Sequence, residues 1–293
     1  MARRAITWLA VVAAAGGVQT AAAQQVGPGR GALVLVGGGM RDPAIVERFL
    51  DLAGGPDAPL VLIPTAGADE SYDQTWAGTE PFRAAGASRL TVLHTTERAI
   101  ADTEGFVEPI RRAGGVWFGG GRQWRLADAY LGTKVHDALR AVLARGGVVG
   151  GSSAGATILG SYLVRGDTRT NTVMMGDHEE GFGLLRGVGI DQHLLRRNRQ
   201  FDLIEVIRAR PELLGIGIDE DTAIVVQGDR FEVIGRSYVA IYDHERVVDS
   251  GGLFYFLAPG DAYDLATREA YRPRPALGPL DRVVAGPWPG PAR

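Results

Sequence analysis

The sequence contains no cysteine among its 293 residues. Disulfide bonds, thiolate metal ligands and a cysteine nucleophile are therefore excluded, and stability has to come from a packed core. The sequence also has no excess of positive charge, because 31 Lys and Arg residues face 34 Asp and Glu residues, a net charge of −3. Nucleic-acid binding depends on a basic surface. We therefore expect no nucleic acid among its partners.

The first 23 residues have the features of a targeting segment. Two arginines in MARR precede the apolar run AITWLAVVAAAGGV, and small residues follow up to Ala23. This order is typical of a secretory signal peptide, and the run is shorter than the roughly 20 residues of a membrane-spanning helix. We predict a signal peptide over residues 1–23 and an exported protein, periplasmic or secreted, without a membrane span after cleavage. The alternative is an N-terminal membrane anchor.

Short apolar runs alternate with helix-compatible stretches in the first half of the chain. Ala32–Val36 and Leu60–Ile63 are typical of buried strands, and Leu126–Ala144 has helical periodicity. This alternation predicts an α/β fold with a mostly parallel central sheet flanked by helices. Beyond residue 187 the apolar runs lie closer together, which predicts antiparallel strands in the C-terminal part. We expect a single domain over residues 24–272 and a Pro/Gly-rich tail over 273–293.

A serine lies at the centre of the glycine-rich stretch GSSAG (151–155). The stretch fits G-x-S-x-G, the nucleophile elbow in which a serine occupies a sharp turn between a strand and a helix. The apolar pair Val148-Val149 precedes it and the helix-compatible stretch 154–163 follows. An ordinary glycine-rich connection is the alternative, so Ser153 needs a partner base before the motif indicates catalysis.

His193 is the best-placed base among five histidines. It follows the apolar run Val188–Ile190, and open α/β sheets carry functional groups at the carboxyl ends of their strands. His178 is the alternative. No metal-binding motif such as H-E-x-x-H is present, and we expect neither a metal nor a cofactor.

An oxyanion hole requires backbone N–H groups beside the nucleophile. Ala154, directly after Ser153, offers one donor. The glycine run 119–121 follows another predicted strand and offers the second, because glycine allows close approach to a substrate. The glycine run 37–39 is the alternative source of this donor.

Four segments together resemble the cyanophycinase and dipeptidase E family: FGGGRQWRL (118–126), GGSSAGA (150–156), GIDQHLLRRNR (189–199) and RPELLGIGIDEDTA (210–223). The resemblance extends from about residue 31 to 245. It implies a fold related to class I glutamine amidotransferases, with a serine in place of the cysteine nucleophile. It also implies an exopeptidase or dipeptidase that cleaves aspartyl or β-aspartyl peptide bonds and uses no cofactor.

The resemblance implies roles for individual residues. Ser153 matches the nucleophile and His193 the base, while Gly121 and Ala154 match the oxyanion donors. Gln123 matches a substrate-pocket position. The D-Q-H…R-N-R run matches residues that shape the pocket, here Asp191, Gln192, Arg197, Asn198 and Arg199.

Three places depart from the resemblance. The triad acid is expected in RGDTRTNT (165–172), but the matching positions 169–172 carry no acid. We therefore expect an acid recruited from nearby, with Glu180 preferred and Asp167, Asp177 and Glu179 as alternatives, or Asn171 in the role of the acid. Arg122 stands where cyanophycinase has an acid, and Asp202 stands where it has a pocket arginine. Such reversals of charge change which substrates a pocket accepts, which argues against cyanophycin itself as the substrate.

Two other functions stay open on the sequence alone. The chain could be an impaired family member that acts as a binding protein, or an esterase or amidase for another small substrate. The oligomeric state is also open, with a homodimer among the alternatives.

Overall fold

In a computed structural model of the protein, the described residues are 25–244, 246 and 252–272. The predicted signal peptide over 1–23 and the tail over 273–293 lie outside these ranges. No helix within them is long and apolar enough to cross a membrane.

Parallel strands form one half of the larger sheet. Most of their residues are Val, Leu, Ile or Gly and are buried, as expected for parallel strands covered by helices on both faces. Their order in space is β1-β5-β4-β2-β3, so all five carboxyl ends lie at one edge. The strands are β1 (Ala32–Val36), β2 (Leu60–Ile63), β3 (Leu90–Val92), β4 (Gly115–Phe118) and β5 (Val148–Ser152).

Antiparallel strands extend this sheet beyond β1, which gives nine strands within the described residues. The first two are joined by a tight turn at Gly228-Asp229, and the Asp229 carboxylate accepts the N–H groups of Val26 and Gly27. The four strands are β9 (Thr222–Gln227), β10 (Arg230–Gly235), β13 (Ala262–Asp264) and β14 (Glu269–Tyr271).

A second sheet has five strands within the described residues, in the order β12-β11-β8-β7-β6. Its strands are β6 (Gly160–Tyr162), β7 (Leu185–Gln192), β8 (Leu214–Ile218), β11 (Val239–Asp243) and β12 (Tyr255–Leu257). The first three are parallel, and β11 and β12 are antiparallel. The predicted α/β fold with antiparallel strands in the C-terminal part is confirmed, and these strands are divided between two sheets.

Helices connect the parallel strands; most cover the larger sheet, and the last packs against β8 and β11 of the second sheet. They are α1 (Pro43–Ala53), α2 (Glu80–Ala84), α3 (Arg98–Ala101), α4 (Glu104–Arg112), α5 (Gln123–Tyr130), α6 (Lys134–Ala144), α7 (Ala154–Thr157) and α8 (Leu203–Ala209). The stretch 126–144 is thus two helices. The helix expected over 154–163 is much shorter, because the chain returns to strand pairing at Gly160, which pairs with Leu185.

Successive side chains of β1 point to opposite faces of the larger sheet and pack into two different layers of the core. Ala32, Val34 and Val36 face the layer that contains α1 and α2. Leu33 and Leu35 face the opposite layer, which contains α4 to α6 and the buried residues of β7 and β8. This period of two is that of a strand buried on both faces. The larger sheet therefore lies between the first helices and the second sheet.

Candidate active site

Ser153 occupies a sharp turn between β5 and α7. Its backbone has φ 57° and ψ −117°, a conformation that side-chain-bearing residues rarely adopt. The flanking glycines permit the turn: a Cβ on Gly151 would lie 2.3 Å from the Gly155 carbonyl oxygen, and one on Gly155 would lie 2.2 Å from the Phe118 carbonyl oxygen. The glycines therefore have two effects: they allow the strand and the helix to pack closely, and they leave Ser153 partly exposed.

His193 follows β7 directly and is 7% exposed. Its Nε2 lies 2.8 Å from Ser153 Oγ, and its Nδ1 lies 2.7 Å from Glu220 Oε1. Both are normal hydrogen-bond distances. The three side chains form a continuous chain of contacts from hydroxyl to imidazole to carboxylate.

The structure does not place Glu180 beside His193, where the sequence predicted it. Glu220 occupies that position, whereas Glu180 is exposed and forms an isolated backbone bridge with Tyr162. The other groups considered also lie elsewhere, because their recorded contacts go to groups other than His193: Asp167, Asn171, Asp177 and Glu179.

Glu220 is the middle of three successive acids that follow β8, and each acid contacts a different segment. Asp219 Oδ1 accepts the N–H groups of Leu195 and Arg196, both at 2.9 Å, in the turn after His193. Asp221 Oδ1 accepts the backbone N–H groups of Arg41 and Asp42, at the end of the loop before α1. One signal could have indicated Glu220: it lies at the carboxyl end of a parallel strand, as His193 does.

The end of β1 contacts all three segments of the site through successive carbonyl groups. The Val36 oxygen accepts the Ser153 N–H, the Gly37 oxygen accepts the His193 N–H, and the Gly38 oxygen accepts the Asp221 N–H, at 2.8–2.9 Å. A Cβ on Gly38 would lie 2.3 Å from His193 Cε1. The glycine run 37–39 therefore packs behind the imidazole.

The surroundings of His193 favour its neutral form. Burial lowers the pKa of its imidazole, and the positive charges of Arg197 and Arg199 lower it further, while the hydrogen bond with Glu220 raises it. The net direction is below the usual histidine value. A neutral imidazole is the form that can accept a proton from a hydroxyl group.

Two backbone N–H groups lie near Ser153 without an acceptor. A Cβ on Gly120 would lie 3.5 Å from Ser153 Cβ, which places this glycine loop beside the serine. Gly121 has φ 144°, and a Cβ there would lie 2.0 Å from the Ala66 oxygen. Within residues 25–244, neither the Gly121 nor the Ala154 N–H donates to another group. Both are available to bind an anionic oxygen.

A cavity of about 540 Å³ contains Arg197 and Arg199, the two arginines whose charges act on His193. Its other lining residues are Arg165, Thr172, Met174, Phe201, Asp202 and Glu205. Neither Ser153 nor His193 lines this cavity, but Arg199 connects it to the site through its hydrogen bond with Gln192, the residue before His193, and we take it as the candidate substrate pocket.

Two predicted pocket residues, Asp191 and Gln192, bind arginines of the cavity lining. Asp191 is fully buried and binds the Arg165 guanidinium through both carboxylate oxygens, at 2.8 and 3.0 Å. The Gln192 side chain accepts a hydrogen bond from Arg199. They therefore support the lining without forming it.

Gln123 and Asn198, which are also predicted to shape the pocket, do not line this cavity. Gln123 is fully buried, and its Nε2 donates to the carbonyl oxygens of Val164 and Arg165 at 2.7 and 2.9 Å. Asn198 is exposed in a turn with φ 54°, where its side chain accepts from Gln200. No cluster of three or more His, Asp or Glu side chains suited to a metal ion occurs in the described chain.

Sequence comparison extends the resemblance to most of the chain. The profile of peptidase family S51 matches residues 33–234. A cyanophycinase from Geminocystis herdmanii (strain PCC 6308) is 33% identical over 261 residues, which cover 80% of this chain and 94% of the relative. A cyanophycinase from Synechococcus elongatus is 31% identical and covers 82% of this chain and 81% of its own length.

Solved structures agree with the sequence relatives. A peptidase from an acI-B1 actinobacterium superposes with a TM-score of 0.60 at 26% identity, over 83% of this chain and 98% of its own. A putative peptidase E protein from Listeria monocytogenes EGD-e has a TM-score of 0.52 at 19% identity, over 71% and 99%, which shows a shared fold. The protein therefore belongs to peptidase family S51 and is a serine-type peptidase.

Proposed function

We propose that the protein hydrolyses aspartyl or β-aspartyl peptide bonds through an acyl-enzyme on Ser153. His193 is the general base and Glu220 the acid that orients it. The observation that carries the proposal is the pair of hydrogen bonds from Ser153 Oγ to His193 Nε2, 2.8 Å, and from His193 Nδ1 to Glu220 Oε1, 2.7 Å. These contacts argue against an impaired member that acts as a binding protein.

The geometry suggests a sequence of proton transfers. Ser153 Oγ attacks the carbonyl carbon as its proton moves to His193 Nε2, and Glu220 stabilises the resulting imidazolium. The Gly121 and Ala154 N–H groups hold the oxyanion. The proton then passes to the leaving amine, and a water molecule, deprotonated by His193, releases the acyl group from Ser153. The positive φ of Ser153 fits the nucleophile elbow expected from the sequence.

The candidate pocket supports an acidic residue on the acyl side of the bond. The guanidinium groups of Arg197 and Arg199 suit a carboxylate, which they can bind with charge-assisted hydrogen bonds. Similarity to cyanophycinases points to aspartyl chemistry. The charges at positions 122 and 202 are reversed relative to cyanophycinase, so we propose small aspartyl and β-aspartyl peptides as substrates in preference to cyanophycin.

A fluorophosphonate probe combined with dipeptide hydrolysis tests this proposal. We expect rapid labelling of the wild type, none in Ser153→Ala, and a fall in kcat of about 10²- to 10⁴-fold in Glu220→Gln, which keeps the shape but loses the charge. Glu180→Gln is the matched control and should retain wild-type kcat, because Glu180 is exposed and distant from the imidazole contacts.

Two outcomes would overturn the assignment. Hydrolysis of aspartyl dipeptides by Ser153→Ala at the wild-type rate would exclude the serine mechanism. Loss of activity in Glu180→Gln with full activity in Glu220→Gln would exclude Glu220 as the orienting acid. A wild type that labels but cleaves only esters would support the esterase alternative.

A further inference from the structure

The side chains of the two residues after Gly121 donate hydrogen bonds to carbonyl groups of an irregular segment, residues 164–171. Arg122 Nη2 donates to the carbonyl oxygens of Asp167, at 2.6 Å, and of Thr170. Gln123 Nε2 donates to those of residues 164 and 165. The segment 164–171 forms neither helix nor strand, so these contacts replace the hydrogen bonds that regular structure would provide.

The same segment is organised from within and leads into the candidate pocket. Asp167 is 4% exposed, and its Oδ1 accepts the N–H groups of Arg169 and Thr170 at 3.0 and 2.7 Å. Arg165 Nη1 donates to the Asn171 carbonyl at 3.1 Å while its other nitrogens bind the buried Asp191. The segment, called the pocket wall below, therefore contributes Arg165 to the pocket lining and is held by hydrogen bonds to its carbonyl groups.

Arg122 connects this wall to the oxyanion loop at two points. Its backbone N–H donates to the Ala66 oxygen at 2.8 Å, and its guanidinium reaches residues 167 and 170 on the other side. The Gly121 N–H lies one residue before this bridge. A shift of the segment would pull on Arg122 and hence on the peptide group that carries the donor.

We infer that Arg122 is a positioning residue that fixes the Gly121 N–H at the oxyanion and couples it to the pocket wall 164–171. This inference rests on the proposed acyl transfer at Ser153. Oxyanion stabilisation depends on donor placement, and a displacement of about 1 Å at a catalytic group can cost on the order of 10²-fold in rate. A carboxylate at position 122 would face two carbonyl oxygens instead of binding them, so the arginine belongs to this particular arrangement of the segment.

The test compares two substrates and one probe. The substrates are a β-aspartyl dipeptide, whose acyl side chain fills the pocket, and p-nitrophenyl acetate, whose acetyl group does not reach it. We expect Arg122→Ala to lower kcat for both by about 10- to 100-fold, and to slow fluorophosphonate labelling of Ser153 by a similar factor, because all three reactions use the same oxyanion donor. KM for the acetate ester should change little. Arg122→Lys should recover part of the loss.

The matched control is Arg169→Ala, which removes the same charge from the segment that Arg122 contacts. Arg169 is exposed, and its guanidinium makes no recorded hydrogen bond within the described residues, so activity should stay at the wild-type level. Melting temperatures of both variants, with Arg122→Lys as a second substitution if Arg122→Ala is poorly folded, separate positioning from loss of fold.

Two results would overturn the inference. If Arg122→Ala raises KM for the dipeptide but leaves ester turnover and labelling unchanged, Arg122 only shapes the pocket wall. If Arg169→Ala loses as much as Arg122→Ala, the effect is one of charge. Failure of the proposed function is distinguishable, because the wild type itself would then show no labelling at Ser153.

Discussion

At the scale of single residues, the His193 imidazole decides the acid limb of activity. It acts as a base only when neutral, so activity falls as the pH drops through its pKa. Because burial and the charge of Arg197 and Arg199 lower this pKa, activity should extend below the usual titration range of histidine. Arg197→Gln removes one positive charge, so the pKa rises and the acid limb of kcat/KM moves to higher pH.

The measurement is a pH profile of kcat/KM for an uncharged ester substrate, so that substrate binding to Arg197 does not enter. Arg186→Gln serves as the control, because Arg186 is exposed near the amino end of β7, at the opposite end of the strand from His193. An acid limb that stays in place in Arg197→Gln, or that moves to lower pH, would contradict the electrostatic account.

The sequence predicts Ser153 and His193 more readily than Glu220, for a physical reason. A nucleophile in a glycine turn and a histidine after an apolar run carry local signals, and the structure places them 2.8 Å apart. The acid also follows an apolar run, but it is one of three acids in IDEDT, and only the packing of β8 beside β7 decides which one faces the imidazole. Glu180 lies closer to His193 along the chain than Glu220 does, but Glu180 forms a bridge with Tyr162, and it is Glu220 that contacts the imidazole.

At the scale of elements, the glycine run 37–39, which follows β1, sets the position of the His193 imidazole. Gly38 has φ 129°, and a Cβ there would lie 2.6 Å from His193 Nδ1. We predict that Gly38→Ala displaces the ring and lowers kcat by roughly 10²-fold. Gly55→Ala is a matched control, because Gly55 also has a positive φ, 99°, but a Cβ there meets nothing within 4 Å.

Both glycine variants should lose about 1 kcal/mol of unfolding free energy from backbone strain, measured by denaturant unfolding, and only Gly38→Ala should lose activity. Equal activity in the two variants would contradict this prediction, because the imidazole would then have moved away from the new Cβ of residue 38 without loss of function.

Element boundaries were predictable where local pattern dominates and not where pairing does. The apolar runs 32–36 and 60–63 coincide with the observed strands β1 and β2. The stretch after Ser153 has the pattern of one helix, but its last part forms β6, which pairs with β7 in the second sheet. Such pairing depends on residues some 25 positions away along the chain and leaves little trace in local periodicity.

At the scale of the whole molecule, we propose that the protein is exported. Expression of the full chain in a Gram-negative host should yield a periplasmic product that begins at Gln24 by intact mass, because the charged start and apolar run precede small residues at 21–23. Replacing Arg3 and Arg4 with Glu should leave the precursor uncleaved in the cytoplasm. A wild-type product that keeps Met1 and stays in the cytoplasm would contradict the proposal.

The overall class was predictable from the alternation of strands and helices, whereas the division into two sheets was not. Strands β8 and β9 are separated by only three residues, Asp219 to Asp221, yet they enter different sheets. Nothing in their similar apolar composition distinguishes them. Those three residues include Glu220, so the site lies where the chain passes from one sheet to the other.

The successive carbonyl groups of Val36, Gly37 and Gly38 have a consequence for how the protein acquires activity. Each accepts the backbone of a different catalytic segment, one from the larger sheet and two from the second. A fragment that ends before β7 would contain the nucleophile and this strand end but neither of its partners. Recovery of hydrolysis during refolding therefore requires that the two sheets have docked on one another.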